Sequence, residues 1–210
     1  MKKMIAMLVA GVMLLTLSSA AFAASEVGNT VYGTGDCEAK LGDKSCLPKD
    51  VSKNSPSAST ISYVISSGMM ATDAQGNFRP NEAVQMDEAV TILLRLLGMP
   101  PADAKGDSSA SAVDRAVQLG WIAKDADVSE SVSRLQYILI LAQALGVQAS
   151  DASMPFTDTG DMSVLEQRIL AALYKAKLIE GTSDTTFTPN SLISRYELAL
   201  IIERVLKTYK

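Results

Sequence analysis

The sequence contains no histidine, only two cysteines and few aromatic residues, Phe, Trp and Tyr making up 5% of it. Without His, no imidazole can serve as base, proton shuttle or metal ligand, so most zinc centres and every His-activated nucleophile are excluded. Cations are outnumbered as well: 19 Lys and Arg against 23 Asp and Glu leave a formal charge of −4, which disfavours bulk attraction to nucleic acid. An anionic ligand could be held only by a local cluster of Arg or Lys. What the chain does have is apolar content, 48% of 210 residues, enough for one or two compact domains.

Lys2 and Lys3 precede an apolar run from Met4 to Leu17, and Ala21-Phe22-Ala23 is a small-x-small processing site. Residues 1–23 therefore read as a signal peptide removed after Ala23, the run being shorter than the ~20 apolar residues a membrane anchor needs. Cleavage leaves 17 basic against 23 acidic side chains, a net of −6. Residues 24–59 are expected to be an irregular segment ending in a linker at Asn54–Ser59. In an exported chain Cys37 and Cys46 most simply pair, a small-loop disulfide contributing ~2–3 kcal/mol.

From residue 60 onward the chain repeats itself. Phe78-Arg79-Pro80-Asn81 recurs as Phe187-Thr188-Pro189-Asn190, and Glu88 as Glu197. A shorter copy lies between, with Gly120-Trp121-Ile122 echoing Gly68-Met69-Met70, and Val132-Ser133-Arg134-Leu135-Gln136 echoing Ile193-Ser194-Arg195-Tyr196-Glu197. The expected repeats are 60–105, a shortened 106–150, and 151–210. Each carries a short helix, a Gly-containing loop and a longer helix. The first helices show apolar stripes at Ile61, Val64, Ile65; at Val113, Ala116, Val117; and at Leu165, Ile169, Leu173, Ala176, all at helical spacing. No run alternates with period two. An all-α fold of three helix-loop-helix repeats follows, the copies packing on one another because one helix pair cannot bury its own stripe.

Ser133-Arg-Leu-Gln136 and Ser194-Arg-Tyr-Glu197 each fit a capping box, which explains Ser133, Ser194, Gln136 and Glu197. It does not explain Arg134 and Arg195, since a cation in the first turn opposes the helix dipole. Two readings stand. Each guanidinium, beside capped N–H groups and a Gly-bearing loop, could grip a carboxylate or phosphate through charge-assisted bonds of about 1.5–3 kcal/mol; or it pairs with a neighbouring repeat's acid, such as Asp125 or Asp184. Trp121 is open to the same division, core burial or stacking on a sugar. Phe78 and Phe187 are expected to plug the core, with Pro80 and Pro189 fixing the turn into the second helix.

The stretches Gly68-Met-Met-Ala-Thr-Asp-Ala-Gln-Gly-Asn-Phe-Arg-Pro-Asn81 and Gly181-Thr-Ser-Asp-Thr-Thr-Phe-Thr-Pro-Asn-Ser-Leu-Ile-Ser-Arg-Tyr-Glu197 resemble the S-layer homology domain. Its repeat runs approximately G-I-I-x-G-x-x-D-G-x-F-x-P, followed by I-T-R-A-E, and Phe156-Thr-Asp158 resembles its opening F-x-D. The resemblance spans roughly residues 60–210 in three copies. It implies a pseudo-threefold helical module that attaches exported proteins to cell-wall glycans, often a pyruvylated secondary polysaccharide, in grooves between repeats. The implied partner is thus an acidic wall polysaccharide or peptidoglycan, at the cell surface, cell wall or S-layer, with no catalysis, cofactor or metal. By position the ligand-contacting role falls to Arg134 and Arg195, with Ser133, Ser194, Gln136 and Glu197 setting the helix starts and Trp121 and Gly181 completing the expected site. The first copy departs from the pattern: Gln85-Met86-Asp87-Glu88 lacks both capping hydroxyl and Arg, Gln75 replaces the loop Asp, and Thr72, like Lys124 in the middle copy, stands where a loop Gly is expected. At most two competent grooves are expected. The alternative is a structural or adaptor subunit that self-associates or binds other envelope proteins.

Overall fold

The computed structural model describes residues 47–99 and 108–209. The expected signal peptide, Cys37 and Cys46 lie outside these residues. Among them are six helices and no strand: α1 Ala58–Ser66, α2 Met86–Leu96, α3 Ser108–Gln118, α4 Arg134–Leu145, α5 Val164–Lys175 and α6 Arg195–Thr208. The all-α expectation holds for them. None is long and apolar enough to cross a membrane.

The helices pair across the bounds of the expected repeats. α3 packs on α2, α5 on α4, and α1 on α6, so that the last helix closes on the first. Polar contacts tie this closing seam: Thr60 donates to Glu203 at 2.7 Å, and Lys207, itself paired with Glu203 within α6, lies with its Nζ 5.5 Å from the centre of the Tyr63 ring.

At the centre of the molecule three backbone segments meet. Val84 N–H donates to Ile193 O at 3.0 Å, Ile193 N–H to Val132 O at 2.9 Å, and Val132 N–H to Val84 O at 2.9 Å, a closed triangle. All three side chains are fully buried. Each second helix then begins by borrowing acceptors from the loop of another copy. Arg195 and Tyr196 N–H donate to Glu82 O and Pro80 O, Arg134 and Leu135 N–H to Ser191 O and Pro189 O, and Met86 and Asp87 N–H to Glu130 O and Val128 O, all at 2.8–3.1 Å. Helix starts leave N–H groups without intrahelical partners, and the repeat loops supply them.

Two local expectations change. The stripe expected on α5 is displaced: Leu165 is 60% exposed and Ala176 is exposed, whereas Leu170, Ala171 and Leu173 are buried. The helix starts from a capping box at Ser163 and Glu166, which puts Leu165 in its first turn. Part of the segment expected to be irregular is packed, ahead of the linker expected at Asn54–Ser59. Val51 is buried, and the Asp50 carboxylate accepts from Phe78 N–H at 2.8 Å and Arg79 N–H at 2.7 Å, so the first copy's contacts begin before residue 60. Short turns then run directly into α1 at Ala58.

Tyr137 of α4 is fully buried and its hydroxyl has no hydrogen-bond partner among the described residues; burial raises its pKa. Such a group keeps its desolvation cost. Tyr137→Phe is expected to leave the fold intact and raise stability by about 1 kcal/mol, read as a higher urea midpoint at constant slope; a loss of stability would mean that the hydroxyl has a bonded partner.

Candidate functional site

Both predicted capping boxes form. Ser133 accepts from Gln136 N–H at 3.1 Å while Gln136 accepts from Ser133 N–H at 2.8 Å; Ser194 and Glu197 do the same at 3.2 and 2.8 Å. Gln85, at the start of α2, makes no side-chain cap.

The arginines that follow the caps point inward. Arg134 is 5% exposed and Arg195 6%. Arg134 donates from Nε to Phe187 O at 2.8 Å, from Nη1 to Glu197 Oε1 at 2.9 Å and from Nη2 to Glu180 O at 3.1 Å. Arg195 repeats the set on the first copy: Nε to Phe78 O at 2.6 Å, Nη2 to Ala71 O at 2.8 Å, and Nη1 to the Glu88 carboxylate. Each guanidinium also lies over a ring, 4.7 Å from the centre of Phe187 for Arg134 and 4.8 Å from that of Phe78 for Arg195. Burial pulls both guanidinium pKa values down, opposed at Arg134 by Glu197. The planar fork can serve two carbonyls and a carboxylate while its face stacks on an aromatic ring, which a Lys cannot do. Asp125 and Asp184 are not the acids involved.

This arrangement accounts for the departure in the first copy. The register of the backbone bonds puts Met86, Arg134 and Arg195 in corresponding places, and likewise Ala126, Phe187 and Phe78 in the loops they face. Where the loop offers Phe, the helix offers Arg, and the third helical residue of the facing copy is Glu197 or Glu88. Where the shortened loop has Ala126, the helix has Met86 and the third residue is the neutral Gln136. Cation, ring and carboxylate are present together or absent together, as a buried charge requires.

The loops that carry the Phe residues are held from below. Arg79 and Thr188, at φ 57° and 54°, occupy the left-handed region without being Gly, and in each case a carboxylate binds two successive N–H groups there. Asp158 accepts from Phe187 N–H at 2.9 Å and Thr188 N–H at 2.7 Å, as Asp50 does in the first copy. Burial pushes the Asp158 carboxyl up, but these N–H bonds outweigh it and hold the group below its ordinary value. Gly181 is required by space: a Cβ there would collide with Thr186 O, the Phe156 ring and Ser183 O. Trp121 is 8% exposed and belongs to the core cluster.

Beside Arg195 a cavity of about 310 Å3 opens between the first copy's loop and α2. Its polar wall is mixed: Asp73, Asp87 and Glu88 face Arg79, Arg95 and Arg195, with Met70 and Ile92 as apolar lining. Asp73 accepts from Gln75 and Asn77 N–H at 2.9 Å and lies 3.5 Å from Arg79; these contacts, the Asn77 N–H bond foremost, lower its pKa against the effect of burial. Arg195 holds Glu88, and Arg95 donates to Met69 O at 3.2 Å. Asp87 differs. Its Oδ1 accepts from Glu88 N–H at 2.6 Å, no ion pair to it is found among the described residues, and burial raises its carboxyl pKa.

The third copy shows why the space is there. At the positions of Ala71, Asp87 and Thr91 it has Glu180, Tyr196 and Leu200, and the Glu180 carboxylate reaches Arg204, which corresponds to Arg95. The small Ala71 is the sequence signal for the cavity, legible only once the copies are superposed.

Two relatives bear on what such a molecule does. An endoglucanase of Bacillus sp. (strain KSM-635) is 32% identical over 76 residues, 36% of this chain and 8% of that protein. The Surface-layer 125 kDa protein of Lysinibacillus sphaericus is 23% identical over 163 residues, 70% of this chain. This chain thus spans less than a sixth of either relative, 8% and 14% of their lengths. Residues 49–85 and 155–199, the two segments that carry the Phe loops clamped by Arg195 and Arg134, match the S-layer homology domain.

Proposed function

We propose that the chain is a non-catalytic anchoring module of the cell envelope, built of three repeats around a pseudo-threefold axis, that binds an acidic wall glycan in a groove between copies. The observation that carries this reading is the cavity beside Arg195, where Ala71, Asp73, Arg79 and Arg195 of the two segments of the S-layer homology type meet side chains of α2, which lies outside them. The triangle of Val84, Val132 and Ile193 supports counting the unmatched middle copy as a repeat. With three donors each engaged internally, Arg134 and Arg195 shape the groove walls, and the glycan's acid falls to the cavity's cationic side. The endoglucanase and the surface-layer protein each match this chain over a small share of their own length, as carriers of a transferable anchor would.

An adaptor role is favoured by one observation, the exposed apolar side chains Val164 at 74%, Leu165 at 60% and Leu192 at 53%. Cosedimentation separates the two. The anchoring reading predicts that purified protein pellets with isolated sacculi and stays in the supernatant after mild acid strips their secondary polysaccharide. Pelleting indifferent to stripping, together with concentration-dependent oligomers, would favour the adaptor.

A further inference from the structure

The cavity beside Arg195 contains more acid than an anion site requires. Glu88 is held by Arg195 and Asp73 lies 3.5 Å from Arg79, so two of its carboxylates already have cationic neighbours. Asp87 does not. A first-turn acid is favoured by the dipole of its own helix, and this accounts for Asp87 being tolerated at the start of α2. It does not account for a part-buried carboxylate, without an ion pair among the described residues, lining a cavity large enough for a sugar ring. Tyr196 and Leu135 stand at the corresponding positions of the other copies, so nothing in the repeat itself demands an acid here.

A desolvated carboxylate gains more from a cationic donor than from a neutral one, because charge-assisted hydrogen bonds are about twice as strong. A hydroxyl would satisfy its lone pairs; an ammonium would also offset its charge. We infer that the first copy's cavity recognises a free amino group on the wall saccharide, a hexosamine left without its acetyl group, with Asp87 as the specificity-determining contact. The inference rests on the reading of this cavity as a glycan site.

The probes are a glucosamine tetrasaccharide and its fully N-acetylated counterpart, titrated into the full chain and followed by backbone amide shifts and calorimetry. The amine form is expected to bind roughly tenfold more tightly, moving the amides of Thr72, Asp73 and Thr91. Asp87→Asn should keep the fold and abolish the preference, while Asp161→Asn, an exposed acid distant in sequence, should retain it. Equal or tighter binding of the acetylated form, or a preference that survives in Asp87→Asn, overturns the inference and leaves anchoring intact. If neither tetrasaccharide binds although sacculi pellet the protein, the amine contact alone is lost; if sacculi do not pellet it, the anchoring reading goes first.

Discussion

Arg195→Ala is expected to cost about 3 kcal/mol or more of stability, the lower end of the range for breaking a buried pair because the Glu88 carboxylate is 31% exposed. The loss has three sources: Phe78 O and Ala71 O lose their donor, Glu88 loses its counter-charge, and the Phe78 ring loses the cation stacked on it. Arg195→Lys should recover only part, since one ammonium cannot reach two carbonyls and a carboxylate in the geometry of the fork. Arg79→Ala is the control. Its pair with Glu82 joins side chains 46% and 57% exposed, and such surface pairs contribute about 0–1 kcal/mol. Urea midpoints of the three variants measure the difference; a midpoint for Arg195→Ala close to that of Arg79→Ala would mean that the clamp does not hold the copies together.

Gly181→Ala is expected to destabilise by about 1–3 kcal/mol, the range for forcing an extra methyl into packed structure. Two of the three atoms the new Cβ would strike are backbone carbonyl oxygens, Thr186 O and Ser183 O, and the third belongs to the Phe156 ring at 2.5 Å. That ring is packed between Tyr174, 5.2 Å away, and Phe187, 5.7 Å away, so it cannot retreat without disturbing the ring under Arg134. Gly160→Ala, with nothing near its Cβ, should be close to neutral. Thermal midpoints compare the two, and a harmless Gly181→Ala would show that the third loop has slack that its hydrogen bonds conceal.

The helices and the capping boxes were legible in the sequence because each depends on neighbours in the chain: Ser133 with Gln136, Ser194 with Glu197, and apolar side chains three or four apart. The direction of the arginines was not. Arg195 finds its acceptors in Phe78, Ala71 and Glu88 of the first copy, more than a hundred residues away, and only the closed ring brings them together. The sequence did hold the clue that Met86, Ala126 and Gln136 depart from the pattern together, but their relation appears only when the helix of one copy is set against the loop of the next. The same long-range geometry hid Asp50, which works beneath Phe78 from the segment expected to be irregular, and the cavity, which lies in the copy whose missing Arg made it look least competent. The α5 stripe failed at its ends: Leu165 in the capped first turn and Ala176 after the last turn face solvent, while the buried residues are Leu170, Ala171 and Leu173.

The central claim is that the arginines hold the copies together and that the glycan is bound in the cavity beside them. Ala71→Glu tests it most directly, because it gives the first copy the residue that the third has as Glu180, where the carboxylate reaches Arg204, and it leaves the Ala71 carbonyl free to accept from Arg195. The account predicts an unchanged urea midpoint and a loss of cosedimentation with sacculi. Full cosedimentation by this variant, folded and with its cavity filled, would contradict it.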